Sequence, residues 1–234
     1  MNLLKNNVKL AGYLIIIGIV VGILSIASAV DSPNYLTEAT ANAAKVSIAA
    51  LFQFILCLTY IGFAILLYPI VQEYNKRLAL GFLSFRIIAG VVLIIGTVIL
   101  LSILVVSQEF IKNPPENQWI FEAFGNVLKT TRDYSNHIFM VFTLGTANLM
   151  LYILFFKTRL IPKWLSVWGI LGTVLSIVAS VLLLFNLVEV ITMEYLTLNV
   201  PSGIFELVLG FWLIAKGLKT GVSGSTNTIK SELK

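Results

Sequence analysis

Val46–Gln72, VSIAALFQFILCLTYIGFAILLYPIVQ, carries no charge over its whole length. A helix of about 20 apolar residues is enough to cross a bilayer. The stretch is therefore predicted to be a transmembrane helix over about 46–71, with Gln53, Thr59 and Tyr60 as its polar members. Pro69 is expected to close or kink it. The short polar connection Glu73-Tyr74-Asn75-Lys76-Arg77 follows. A second apolar span then runs over about 80–106, uncharged from Ile87 to Val106, with Arg86 at its mouth.

The same pattern recurs in both directions. Further spans are predicted over about 10–29, 134–156, 164–188 and 200–218, six in all. The composition agrees: 58% of the 234 residues are hydrophobic and 12% charged, with mean hydropathy +0.95. A soluble domain is nearer half apolar and a quarter charged. The expected fold is all-α, a polytopic bundle of six transmembrane helices in one membrane domain over residues 1–219, followed by a flexible cytoplasmic tail over 220–234. Ala27-Ser28-Ala29 has the look of a signal-peptidase site. Against that, the first apolar run is long, and Gly18 and Gly22 have the spacing of a packed helix. Gln108–Asp133 reads as one long loop, with a short amphipathic helix over Ile120–Leu128 lying on the surface. Pro201 fits the first turn of the sixth helix. Along the fifth span, Gly169, Thr173, Ser176 and Ser180 form a small-residue stripe suited to close packing.

Charge sets the expected orientation. The net charge is +5, but the cations border the apolar runs instead of forming a nucleic-acid patch. Twelve of the 16 lie at the N-terminus, at the 2–3 and 4–5 turns with Arg86, and at the C-terminus; Lys45, Lys112, Lys129 and Arg132 lie on the opposite side. The positive-inside rule then places both termini in the cytoplasm. The single Cys57 and single His137 leave no disulfide framework and no multi-histidine metal or haem site within one chain. No metal or cofactor is expected.

The segment PSGIFELVLGFWLIAKGLK, Pro201–Lys219, places an acid inside the hydrocarbon, because only nine uncharged residues separate Glu206 from Lys216. Gly203, Glu206 and Gly210 share a helical face, which turns Glu206 toward protein. A charged carboxylate in lipid is costly, so it is expected to be neutral or partnered. Lys216, ten residues along the same helix, is about 15 Å away and cannot be the partner. The expectation is a neutral Glu206 donating a hydrogen bond, with Asn148 or Tyr60 as acceptor. Arg86 is expected to snorkel to the interface as an anchor, with a buried ion-pair role as the alternative.

An internal repeat is also visible. Arg77-Leu78, Phe82-Leu83-Ser84, Ile88, Gly90 and Val92 recur 82 residues later as Arg159-Leu160, Trp164-Leu165-Ser166, Ile170, Gly172 and Val174. This predicts a parallel hairpin repeat of spans 2–3 and 4–5.

Four fragments carry a resemblance to a known family. They are KLAGYL (Lys9–Leu14), LLYPIVQEYNKRLALGFLSFR (Leu66–Arg86), RLIPKWLSVWGIL (Arg159–Leu171) and ELVLGFWLIAKG (Glu206–Gly217). Together the chain resembles the bacterial membrane family catalogued as domain of unknown function 4386, over Lys9 to about Lys219. The family pattern has glycine where Phe205 stands here. The resemblance implies a multi-span helical membrane protein and no established activity.

The candidate polar site comprises Glu206, Asn148, Tyr60, Arg86, His137 and Asp133, with no catalytic residue assigned. No Gly-x-Ser-x-Gly, His-Glu-x-x-His or P-loop pattern is present. The function expected from these residues is non-enzymatic: binding, sensing or membrane organisation for a lipid or apolar ligand. Membrane lipids are the expected partners, and nucleic acid is not. A small proton-linked transporter using Glu206 is the first alternative. An intramembrane enzyme with an outer-face polar cluster drawn from His137, Arg132, Asp133 and Glu206, His137 lying one helical turn from Asp133, is the second.

Overall fold

The computed structural model describes residues 2–190 and 192–219. The predicted tail over 220–234 lies outside the described residues. Nine α-helices account for most of the described chain: α1 (Asn2–Leu24), α2 (Ser28–Asp31), α3 (Tyr35–Ala41), α4 (Ala43–Val71), α5 (Lys76–Lys112), α6 (Gln118–Asp133), α7 (Met140–Thr158), α8 (Lys163–Leu184) and α9 (Met193–Ala215). A π-helical segment, Tyr134–Phe139, joins α6 to α7. Six helical stretches are long and apolar enough to cross a membrane. The chain is a multi-pass membrane protein of all-α architecture.

The six long helices close a ring. α1 packs on α4, α4 on α5, α5 on α7, α7 on α8, α8 on α9, and α9 returns to α1. Helix α5 thus stands opposite α9 across the ring. Small residues set the closing contact: a Cβ on Gly12 would lie 2.8 Å from the Gly210 carbonyl oxygen, so the α1 and α9 backbones meet there. Gly172 likewise sits against the Ser202 backbone, joining α8 to α9. Gly203, by contrast, faces open space. Helix α1 is therefore a wall of the ring. Beyond its end Ala27 and Val30 are buried, which ties the Ala27-Ser28-Ala29 stretch into the packed protein.

The two ends of the ring differ. At the end bearing Lys76, Arg77, Lys157, Arg159 and Lys163, short turns join the helices and a dense core fills the centre, with Phe63, Leu67, Phe82, Leu151, Phe155 and Leu160 all at 2% exposure or less. This is the basic end. At the other end, here the loop end, α2, α3 and α6 form a cap on the last turns of α5.

That cap corrects the loop expected over Gln108–Asp133. Helix α5 runs on to Lys112, and at 37 residues it is about 55 Å long, well beyond a hydrocarbon core of about 30 Å. Pro114 and Pro115 then stop and restart the helix. The short amphipathic helix exists, as α6, but it does not lie separately on the surface. Helical dihedrals continue through Asp133, Tyr134, Phe139 and Met140, so α6, the π segment and α7 form one rod. That rod runs antiparallel to α5: the Gln118 side chain donates to the Phe110 carbonyl, Ser135 Oγ donates to the Val92 carbonyl at 3.0 Å, and Asn148 meets Arg86. Gly125 on α6 admits the Tyr35 ring from α3, whose hydroxyl donates to Asn126 Oδ1 at 2.9 Å. Burial and the Glu122 carboxylate push the Tyr35 phenol up from its ordinary value.

Two further expectations change. The sixth long helix begins at Met193, so Pro201 lies inside it, and the Pro201 carbonyl accepts from the Trp168 indole at 3.1 Å. The sequence repeat does not carry through to packing. Phe82 is fully buried whereas its counterpart Trp164 is 56% exposed; Ser84 is exposed whereas Ser166 is buried.

Candidate functional site

Arg86 is not an interfacial anchor. Its side chain is buried, at 5% exposure. It shares a helical face with Phe82, Ala89, Gly90 and Leu93, all buried, so α5 aims it at the ring centre and not at the membrane surface. One guanidinium nitrogen donates to Asn148 Oδ1 on α7 at 2.6 Å. The guanidinium carbon lies 4.7 Å from the Phe63 ring centroid and 5.8 Å from those of Tyr60 and Phe82. Three aromatic rings and one amide thus hold a permanent cation in place. Among the described residues its Nε has no hydrogen-bond partner.

Glu206 enters from α9, on the opposite side of the ring. It lines two protein cavities, although Gly203, expected on the same protein-facing side, meets open space. The hydrogen bond expected to Asn148 or Tyr60 is not formed. Asn148 Oδ1 is already taken by Arg86. Among the described residues Glu206 has no side-chain hydrogen-bond partner and no cation within 4.0 Å. Its neighbour Phe205 fills the space over Gly169 and meets the Tyr152 ring at 4.9 Å, so it is a packing residue.

Three cavities share walls through the ring. The first, about 660 Å³, lies at the loop end and is lined in part by Asp31, Gln53, Arg132, Asp133, Asn136 and His137. The second, about 180 Å³, holds Arg86, Glu206, Tyr60 and Tyr152, with Leu14, Ile15, Ile19, Leu56, Phe63 and Leu209 as its apolar wall. The third, about 190 Å³, holds Asn148, Thr173, Ser176, Asn199 and Ser202. Gly22 and Leu56 line both the first and the second cavity. Tyr60 and Glu206 line both the second and the third. Descending α1 from Ser25 to Leu14, or α4 from Gln53 to Phe63, passes from the loop end to Arg86. Below that the aromatic core of the basic end begins. The adjoining cavities form a well, largely apolar in its lining with a few placed polar groups, above the packed core of the basic end.

His137 and Asp133 stand at the mouth, in the first cavity, and do not bond to one another. His137 Nδ1 lies 3.4 Å from the Tyr195 hydroxyl, and its backbone carbonyl accepts from Ser180 Oγ at 2.6 Å. Asp133 lies 3.9 Å from Arg132, whose main partner is Asp31 at 2.7 Å. That Arg132–Asp31 pair ties α6 to α2 over the mouth. The sequence reading named Arg132 but not its pairing with Asp31, and it missed Asn136 and Tyr152. Arg132 does fall one turn after Leu128 on the packed face of α6, the signal that marks it as buried.

Of the sequence candidates, Arg86, Tyr60, Asn148 and Glu206 gather around two adjoining cavities, while His137 and Asp133 stay at the mouth. No curated protein and no solved structure matches the chain at a significant level. A family profile matches residues 10–217, nearly the whole length. With that match, the chain belongs to the family described as Domain of unknown function (DUF4386).

Proposed function

We propose that this protein binds a small amphipathic ligand in the well, from the loop end, without chemically changing it. The carrying observation is the run of cavities from the loop end to the buried Arg86–Asn148 pair. Ligand pockets are concave, largely apolar and furnished with a few placed polar groups. The second cavity has that make-up. A wholly apolar ligand suits it less, because it would leave Arg86 and Glu206 without water or partner.

The other readings find less support. A transporter calls for a polar path to both faces, and the aromatic core of the basic end closes the floor. An enzyme calls for an oriented base, and His137 is turned to Tyr195 instead of an acid. We further propose a bacterial plasma membrane with both termini cytoplasmic. With Arg86 assigned to the well, the cation bias between the two sides is still eleven to four. The well then opens outward.

Native mass spectrometry of the protein released from its membrane tests the binding reading. Gly22→Phe should plug the neck, because a Cβ there meets only Leu56, at 4.0 Å. A small-molecule adduct on the wild type, lost in folded Gly22→Phe, is the expected result. Bare wild-type protein, or an adduct that Gly22→Phe retains, overturns the reading.

A further inference from the structure

We infer that the ligand's polar head is a zwitterion, with its carboxylate on Arg86 and its ammonium on Glu206. This rests on the binding reading above and names the ligand class. Helices α5 and α9 stand opposite one another in the ring, so the two side chains approach the second cavity from opposite walls. Neither has an oppositely charged partner within 4.0 Å among the described residues. Among the described residues Arg86 has a buried Nε with no partner, and its one side-chain hydrogen bond goes to the neutral Asn148, so the guanidinium is positioned without a contact ion pair.

Charge complementarity selects the head group. A plain carboxylate would satisfy Arg86 and leave Glu206 either as a second anion or as an acid with no partner. A plain amine would satisfy Glu206 and set a second cation beside Arg86. Either leaves one of the two site groups without its partner, and an unpaired polar or charged group inside the protein is unfavourable. A molecule bearing both groups pairs each with its opposite and adds no net charge. A phosphate dianion meets a single guanidinium here, with a carboxyl on the facing wall. The 180 Å³ volume and the Leu14, Ile15, Ile19 and Leu209 wall select a short apolar body. An amino acid with an aliphatic side chain has this chemistry. A zwitterionic lipid head group shares the ammonium-plus-acid part of it.

The test is titration calorimetry on the full chain in nanodiscs of phosphatidylglycerol, a lipid with no ammonium. The probes are L-leucine, 4-methylpentanoate, which lacks the amine, and 3-methylbutylamine, which lacks the acid. Leucine should bind at least about tenfold more tightly than either analogue, because each leaves a site group unpaired. Glu206→Gln should shift the preference toward the acid and Arg86→Gln toward the amine. A folding defect would not invert selectivity in opposite directions. Leucine binding that is competed away when phosphatidylethanolamine is added supports the same chemistry and assigns the occupant to a lipid head group. Analogues that bind as tightly as leucine overturn the zwitterion and leave the binding reading standing. So does a wild type that ignores leucine yet carries a different adduct lost in Gly22→Phe. If the wild type binds none of the probes and carries no adduct, both readings fail.

Discussion

The Arg86 guanidinium donates to Asn148 Oδ1 at 2.6 Å across the α5–α7 contact, and this is the only hydrogen bond that Arg86 makes among the described side chains. A buried arginine held by one amide makes that amide costly to remove. Asn148→Leu should destabilise the protein by about 3 kcal/mol, the scale for stranding a buried charge. Arg86→Met in the same chain should recover most of that loss, since replacing both partners by apolar groups is often near neutral. Unfolding in detergent, run as a double-mutant cycle, measures the coupling. Additive losses would show that the two residues do not depend on each other.

Gly96 on α5 has a side-chain demand of its own. A Cβ there would run into the buried Asn136 amide on the π segment. Gly96→Ala should therefore cost about 1–3 kcal/mol, the usual scale of overpacking. Gly203→Ala is the control, because nothing lies within 4 Å of its added Cβ and alanine favours helix. Thermal unfolding of the two variants should move in opposite directions. Equal shifts would mean that Asn136 gives way.

Ring closure rests on the meeting of Gly12 and Gly210. Gly12→Val pushes a branched side chain into the Gly210 carbonyl and should part α1 from α9. Cysteines at Ala11 and Leu213, in a Cys57→Ser background, are buried in the intact protein. They should resist a thiol reagent in detergent and become reactive in the Gly12→Val chain. Unchanged protection would remove this contact from the closing role.

Orientation is checked from outside the cell. Asn34 and Leu187 are exposed at the loop end, and Lys163 is exposed at the basic end. Single cysteines at each, again without Cys57, should react with an impermeant thiol reagent on intact cells at 34 and 187 but not at 163. The reverse pattern would place the mouth of the well in the cytoplasm.

The uncharged runs by themselves determined that this chain is a bundle of six spans, because an apolar stretch long enough to cross a bilayer has no other stable place to go. They also marked Glu206 as an intramembrane acid, since no helix can carry it to either surface with so few residues beyond it. The fate of Arg86 was decided only by the tertiary structure. Its position at the edge of an apolar run fits an anchor equally well, and only the packing of Phe63 and Phe82 around it turns it inward. The loop expected over Gln108–Asp133 is helical for the same kind of reason: α5 packs against the Phe121–Leu128 face of α6 and Tyr35 of α3 fits over Gly125, which extends the fold beyond the bilayer, while Trp119, Ile120, Phe124 and Val127 stay exposed. Asn148 was legible as a polar residue at depth, but not as the partner of Arg86 in place of Glu206. A hydrogen bond between helices 62 residues apart in the chain depends on their register, and that register is set by the whole α5–α7 contact.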